Sequence, residues 1–139
     1  MATDCLASRL RRLERTVSRI YDGALRGTGV TAPQLSLLTA VELAGPTTAG
    51  FVAKLLDLEK STVSRNLARL AALGLIETED GLRITSRGSA TIRECHPLWR
   101  RAQQQLREAL APRELELLAA LDPIHPRRSS HAKRRNVRE

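Results

Sequence analysis

Apolar residues recur at spacings of three and four along most of the chain, as they do on one face of an amphipathic helix. The first such stripe runs from Leu6 to Ala24 and the last from Ile92 to Ala109. Both stripes are long enough to pack against other helices. The pattern predicts helices at residues 4–25, 31–45, 47–57, 60–73, 86–110 and 112–121.

Local signals support the ends of these helices and add a hairpin. Thr31 and Gln34 have the spacing of a capping box at the start of the second helix. Gly74 stands where a C-terminal glycine belongs after the fourth. Asp80-Gly81 is the commonest chemistry of a two-residue hairpin turn, and short extended runs flank it. The predicted fold class is therefore mainly α with a small β-hairpin.

The third and fourth helices have apolar faces of ordinary type, but the polar face of the fourth is unusual. The expected buried positions are Phe51, Val52 and Leu55 in the third helix and Val63, Leu67, Leu70 and Leu73 in the fourth. A solvated polar face usually mixes Lys and Glu. Here the polar side holds small hydroxyls, an amide and arginines, and no acid occurs between Lys60 and Glu77.

Composition adds a preference for an anionic partner. The chain has 139 residues, of which 42% are hydrophobic, and a net charge of +8. Such a charge favours nucleic acid. Only Tyr21, Phe51 and Trp99 are aromatic, which favours a duplex over single strands that stack on aromatic platforms. No apolar run approaches the roughly 18 residues of a membrane span, and no signal peptide pattern is present. A cytoplasmic location is expected.

The order of elements predicts a winged helix-turn-helix, in which helices three and four form the motif and the hairpin forms the wing. One helix fits into a major groove about 12 Å wide, and its N-terminal side chains approach the base edges. Arg65 is suited to bidentate bonding to guanine, and Asn66 is suited to adenine. The candidate DNA contacts are Ser61, Thr62, Ser64, Arg65, Asn66 and Arg69, with Thr31, Gln34, Thr47, Thr48, Arg83 and Arg87 from neighbouring elements.

These segments resemble the MarR family of winged helix-turn-helix transcription regulators. "TAPQLSLLTAV" is similar to the second helix of the family, "LLDLEKSTVSRNLARLAALGLIE" to its turn and recognition helix, and "LRITSRG" to the end of its wing. The likeness covers about residues 6–120. It implies a homodimer in which the first, fifth and sixth helices interlock. The two recognition helices would then enter successive major grooves of a pseudo-palindromic site, and a repressor is expected.

The predicted wing departs from the family pattern. "ETEDGLRIT" is short and carries Glu77, Glu79 and Asp80 near its tip, and only Arg83 is placed to touch the backbone or the minor groove. Acids that face phosphates are repulsive. The recognition helix is therefore expected to carry more of the recognition, with the arginines of the first helix or the tail as alternative phosphate contacts.

The resemblance also implies a small-molecule effector, often an aromatic acid, in a crevice between the dimer helices and the DNA-binding lobe. Arg19, Tyr21 and His96 are candidates for lining it and fit an ordinary surface equally. Cys5 lies among arginines at a helix start, which favours a reactive thiolate. Cys95 either packs as a small apolar residue or joins Cys5 in redox or thiophilic-metal sensing, within one chain or between two.

Other classes of function find no support in the sequence. A Gly-rich phosphate loop, G-x-S-x-G, CxxC and HxxxH are all absent, so neither an enzyme nor a bound cofactor or metal is predicted. One domain is expected at 1–124, with dimerisation helices at about 4–25 and 86–122, a winged helix-turn-helix at about 31–85 and a basic disordered tail at 125–139. The alternative function is a basic module that binds an acidic partner protein.

Overall fold

The computed structural model describes residues 5–110, 112 and 116. The chain divides at Leu106 into two units, residues 1–106 and 107–139. Its described elements are α1 (Leu6–Ala24), α2 (Ala32–Ala44), α3 (Ala49–Leu56), α4 (Lys60–Ala72), β1 (Ile76–Glu77), β2 (Arg83–Ile84) and α5 (Ser86–Ala109). The predicted fold class is confirmed. Nearly all of the predicted sixth helix and the whole basic tail lie outside the described residues, and the predicted domain limits remain a prediction.

Helices α2, α3 and α4 pack against one another and build the core of the first unit. Leu38 and Val41 of α2, Val52 of α3, and Val63 and Leu70 of α4 are completely buried. The capping box at the start of α2 is present. Among the described helices, none combines the length and the apolar content that crossing a membrane requires.

Two of the predicted buried positions in α3 are wrong. Phe51 and Leu55 are 52% and 53% exposed, whereas Val52 and Ala53 are buried. The helix has only eight residues, and it contacts α2 and α4 through one narrow side. Phe51 and Leu55 are one helical turn apart and therefore lie together on the other side. In α4, Leu73 follows the last helical residue and is 40% exposed. The buried stripe of α4 therefore ends at Leu70 and does not include Leu73 as predicted.

The C-terminus of α4 is closed by a Schellman turn around Gly74. The Gly74 N–H donates to the Ala71 carbonyl at 2.8 Å, and the Leu75 N–H donates to the Leu70 carbonyl at 3.0 Å. Gly74 has a φ of 68°, a conformation that glycine adopts without a β-carbon penalty. The predicted C-terminal glycine is confirmed, and the turn directs the chain into β1.

The loop that connects the two strands of the wing is longer than the predicted two-residue turn. β1 and β2 are antiparallel, with Ile76 opposite Ile84 and Glu77 opposite Arg83. This register leaves residues 78–82 as the connection. The prediction of a hairpin is therefore correct, and the prediction of its turn is wrong.

Leu82 gives the physical reason for the longer connection. It is buried, and it forms an antiparallel bridge with Thr47 before α3. The Leu82 N–H donates to the Thr47 carbonyl at 2.8 Å, and the Thr47 N–H donates back at 3.0 Å. Burial and two backbone hydrogen bonds thus outweigh the local turn preference of Asp80-Gly81. The bridge ties the wing to the start of α3.

Two small residues, Thr85 and Gly88, allow the start of α5 to pack closely against the base of the wing. The Thr85 hydroxyl donates to the Gly74 carbonyl at 2.8 Å and accepts from the Gly88 N–H at 3.0 Å. Gly88 is buried, and a β-carbon there would overlap the carbonyl oxygen of Leu75 and lie 2.6 Å from Cδ1 of Ile84. Only glycine fits this contact between α5 and the wing.

Gly88→Ala is expected to destabilise the protein by about 1–3 kcal/mol, because the added methyl group must displace backbone. Urea unfolding at a fixed protein concentration measures the loss. Gly23→Ala is the matched control, since nothing lies within 4 Å of a β-carbon at this α1 position. It should be neutral or up to about 1 kcal/mol stabilising. Equal stability of the two variants would contradict the close approach of α5 to Leu75.

Candidate nucleic-acid interface

The burial pattern of α4 determines which side of the helix faces outward. Val63, Leu67 and Leu70 are at most 3% exposed and form its buried stripe. Successive residues of an α-helix are about 100° apart, so Ser61 and Arg65 lie opposite that stripe. Both are exposed. Ser61 and Arg65, two of the side chains predicted to meet base edges, are therefore on the outward face of the helix.

Arg65 and Asn66 differ in how far they are available to a partner. Arg65 is exposed, whereas Asn66 is half-buried and its Nδ2 donates to the Thr62 carbonyl at 3.0 Å. A bidentate bond from Asn66 to adenine requires this amide donor to leave Thr62. Arg65 is thus better placed for base contact than Asn66.

The outward face also contains small side chains that the sequence interpretation missed. Ala68 and Ala72 are exposed and lie on the same side of α4 as Arg65. Ser64 and Arg69 are exposed on the two flanks of this face. Small residues allow the helix backbone to approach another surface closely, so the face is shallow around Arg65. An exposed alanine in a helix gives no sequence signal of its own, because alanine is an ordinary helix former.

The N-terminal end of α4 is set by a tight turn that follows α3. Asp57 is the one described non-glycine residue with a positive φ, at 53°, and the Leu58 N–H donates to the Ala53 carbonyl at 2.9 Å. Glu59 is the N-cap residue of α4 and is exposed beside Lys60. An acid therefore stands directly before the acid-free face, where the helix dipole favours negative charge.

The two threonines before α3 have different roles. Thr48 is exposed and caps α3, where its hydroxyl oxygen accepts from the Phe51 N–H at 3.2 Å. Thr47 is half-buried and uses its backbone in the bridge to Leu82. The structure therefore supports Thr48 as a surface group better than Thr47, whose backbone holds the wing.

At the start of α2, backbone N–H groups already donate hydrogen bonds to side chains of the same chain. The Thr31 N–H donates to Oε1 of Gln34 at 2.9 Å, and the Ala32 N–H donates to Oδ1 of Asp22 at 3.0 Å. Gln34 is only 8% exposed, so it acts as a cap and is not placed for a DNA contact. Thr31 is exposed, but the Asp22 carboxylate beside it opposes a phosphate.

Known proteins match the chain over this module. The model of the MarR family matches residues 28–81, which contain α2, α3, α4 and β1. The transcriptional regulator MosR of M. tuberculosis is 28% identical, with a TM-score of 0.74 over 87% of this chain and 95% of its own. Residues 28–81 of the chain therefore resemble the MarR family, and the fold is similar to that of a transcriptional regulator.

Two further solved structures share the fold of this chain. A mutant MarR from E. coli, solved in complex with operator DNA, is 24% identical with a TM-score of 0.75, over 87% of this chain and 94% of its own. BpsR of Bordetella bronchiseptica is 21% identical with a TM-score of 0.76, over 88% of this chain and 95% of its own. No curated protein matches the chain significantly.

The charges of the wing are poorly suited to contact with DNA phosphates. Arg83 lies directly opposite Glu77 in the sheet, and such opposite charges on neighbouring strands attract each other. Glu79 and Asp80 are exposed at the tip. Arg87 lies near Gly74 at the C-terminal end of α4, with one Nη 3.8 Å from the position of a β-carbon there. The structure thus does not bring Arg87 to the outward N-terminal part of α4.

The two cysteines have opposite environments. Cys5 is exposed at the start of α1, and hydrogen bonding from the Ser8 backbone and side chain lowers its pKa. Cys95 is fully buried in α5, and this burial raises its pKa more than the nearby Thr28 hydroxyl lowers it.

The two cysteines belong to different helices of the fold. Tyr21 of α1 stacks on Trp99, one turn from Cys95 in α5. Cys5 precedes α1 and lies about 24 Å from Tyr21 along that helix, at 1.5 Å per residue. Pairing of Cys5 with Cys95, within one chain or between two, remains a prediction.

In the native protein, we expect one thiol to react with a small alkylating reagent and two to react after unfolding. Cys5 should react quickly, with a rate that levels off at lower pH than for an ordinary cysteine, because its thiolate is stabilised. Cys95 should remain protected. Mass spectrometry of tryptic fragments after timed alkylation assigns the sites, and Cys5→Ser is the control. Rapid native labelling of Cys95 would contradict its burial.

Proposed function

We propose that the chain is a MarR family transcription regulator, a homodimeric repressor that binds a pseudo-palindromic duplex through α4. The single observation that carries the proposal is the outward face of α4, where Arg65 lies opposite the buried stripe with small residues around it. An arginine with a shallow, acid-free surrounding is suited to guanine in the major groove. Release of DNA follows binding of a small molecule or reaction at Cys5.

The apolar stripe of α1 supports the dimer. Leu10 and Leu13 are 46% and 40% exposed, and Val17 and Ile20 are only half-buried. A helix with a large apolar stripe buries it when it can. A second copy of α1 and α5 supplies that cover, and a two-fold axis places two α4 helices for two half-sites.

The solved relatives support the two kinds of partner. The E. coli MarR mutant was solved with operator DNA, and DNA binding by BpsR is regulated by 6-hydroxynicotinic acid. For this chain, duplex DNA and a small-molecule effector are therefore the proposed partners. The acidic-protein alternative rests only on the net charge of +8.

Selection from a random duplex pool tests the DNA partner. We expect enrichment of an inverted repeat with half-sites about one helical turn apart, because a two-fold dimer presents two equivalent α4 helices. The selection is run at several salt concentrations, since phosphate contacts alone weaken steeply with salt and enrich no sequence. An unenriched pool would favour the acidic-partner alternative.

Arg65→Ala is expected to weaken binding to the selected site by about 1–3 kcal/mol and to relax preference at one base pair. Fluorescence anisotropy with the selected duplex and its single-base variants measures both effects. Arg93→Ala removes an equal charge from an exposed position of α5 outside this face and is the matched control. An equal loss on every duplex would mean that Arg65 contacts phosphate only.

Glu77→Gln is expected to strengthen binding a few-fold on all duplexes at low salt, because it removes a negative charge that repels phosphate and lies opposite Arg83 in the sheet. The gain should disappear at high salt, where exposed charges are screened. Glu42→Gln, at an exposed position of α2, is the control for the change in net charge. An unchanged affinity for Glu77→Gln would place the wing away from DNA.

A further inference from the structure

The polar side of α1 is built mostly from arginine. Successive residues of a helix are about 100° apart, so their spacing shows which side chains share one face. One arc of about 100° on α1 holds Ser8, Arg11, Arg12, Arg15, Arg19 and Asp22. The four arginines of this arc are all exposed, and they are called the α1 arginine face below.

The α1 arginine face lies opposite the apolar stripe of the same helix. Leu10, Leu13 and Val17 point away from the centre of the arginine arc, because their spacing places them on the other half of the helix. In the proposed homodimer a second copy covers this stripe. The arginines on the opposite side therefore remain open to solvent in the dimer.

The two acids of α1 do not neutralise the arginine face. Oε1 of Glu14 accepts from the Ser18 hydroxyl at 2.8 Å, and Oδ1 of Asp22 accepts from the Ala32 N–H at 3.0 Å. Within the described part of the chain, no ion pair joins an acid to these four guanidinium groups. Like charges one turn apart on a helix repel each other, so a row of unpaired arginines does not serve the stability of α1.

The spacing of the arginines suits a polyanion with closely placed charges. Arg11, Arg15 and Arg19 follow one another at one-turn intervals and span about 12 Å along the helix axis. A DNA duplex carries a phosphate for about every 1.7 Å of its axis, so about seven phosphates occupy the same length. The planar fork of N–H donors on a guanidinium also fits phosphate oxygens bidentately.

Positive charge is concentrated on α1, whereas the wing is acidic. Helix α1 has five arginines and two acids, and the wing from Ile76 to Ile84 has one arginine and three acids. Acids repel phosphates, and exposed arginines attract them. Within the described residues, α1 is therefore better suited than the wing to hold the phosphate backbone.

We propose that the α1 arginine face is a second DNA-contacting surface, which binds duplex phosphates without regard to base sequence while α4 reads the bases. This inference rests on the proposed function. The C-terminal end of the face adjoins the winged helix-turn-helix, because Asp22 bonds to the first residue of α2. Phosphate contacts supply affinity and orientation but carry no sequence information, which is the role left open by the acidic wing.

Salt dependence of binding tests the proposal. The triple change of Arg11, Arg15 and Arg19 to Gln removes three charges and keeps residues that favour a helix. Fluorescence anisotropy measures the affinity of full-length protein for the selected operator and for a scrambled duplex between about 50 and 200 mM salt. We expect the slope of log K against log salt to become shallower by about 2–3, because each phosphate contact contributes about 0.9.

The same variant should lose affinity equally for both duplexes. The loss is expected to be at least about tenfold at the lowest salt concentration and to shrink as salt rises, because the lost contacts are those that release counterions. Preference for the operator over the scrambled duplex should remain unchanged. A selective loss of operator affinity would mean that the face reads bases, and it would overturn the inference.

Two further variants remove the same charge elsewhere. One changes exposed arginines of α5 to Gln, and the other changes arginines of the basic tail; they are Arg93, Arg100 and Arg101, and Arg127, Arg128 and Arg134. We expect the α5 variant to keep the wild-type slope. An equal change in its slope would show an effect of net charge alone and would overturn the inference. So would a change confined to the tail variant, which would assign the phosphate contact to the tail.

Arginine modification of the unaltered protein provides a measurement that does not depend on the folding of a variant. Phenylglyoxal reacts with accessible guanidinium groups, and mass spectrometry of proteolytic fragments quantifies each site. We expect the scrambled duplex to slow the modification of Arg11, Arg15 and Arg19 and to leave Arg93 unchanged. Unchanged modification of the three α1 arginines would overturn the inference.

Failure of this inference differs from failure of the proposed function. If an operator is enriched and Arg65→Ala relaxes base preference while the α1 variant keeps the wild-type slope, the inference is overturned and the proposed function stands. If binding depends on α1 and on salt but no sequence is enriched, the proposed function is overturned and the phosphate contact stands. Binding of polyglutamate but not of duplex DNA through α1 would favour an acidic partner protein and overturn both.

Discussion

Burial of three side chains of α4 is the interaction that determines how the rest of the winged helix-turn-helix is arranged. Val63, Leu67 and Leu70 pack into the core made with α2 and α3, and this contact fixes the rotation of α4 about its own axis. Because a helix turns about 100° per residue, fixing one side fixes the opposite side. The outward position of Arg65 is thus a consequence of core packing. A rotation of one residue would turn Arg65 toward a flank and expose apolar surface.

The direction of the chain after α4 extends this constraint to the wing and to α5. Gly74 ends α4 in a left-handed conformation, and the Thr85 hydroxyl bonds to its carbonyl while capping α5. Gly88 lets α5 approach Leu75 directly. The end of α4, the base of the wing and the start of α5 therefore form one continuous hydrogen-bonded joint. A shift of α5 cannot leave α4 and the wing untouched.

Structural features that depend on periodicity and on local chemistry could be predicted from the sequence. The helix limits, the Thr31 cap, the Gly74 turn and the outward face of α4 follow from spacing and from residues that favour helix ends. Contacts between distant residues were missed. The pairing of Leu82 with Thr47 lengthened the wing connection, and no local pattern predicts that bridge. The roles of Gln34, which is buried in its cap, and of Asn66, which bonds to Thr62, likewise depend on the folded surroundings.

The exposed side of α3 is the most informative of these departures. An amphipathic pattern marks Phe51 and Leu55 as core residues because it registers apolarity and not the number of available partners. In the structure, α2 and α4 cover one side of this short helix, and Leu55 lines an open cavity between α2, α3 and α5 instead. The same eight residues thus border this cavity and end at the turn into α4. The exposure of Phe51 and Leu55 is therefore set by how few elements pack around α3 and not by the apolar spacing within the helix itself.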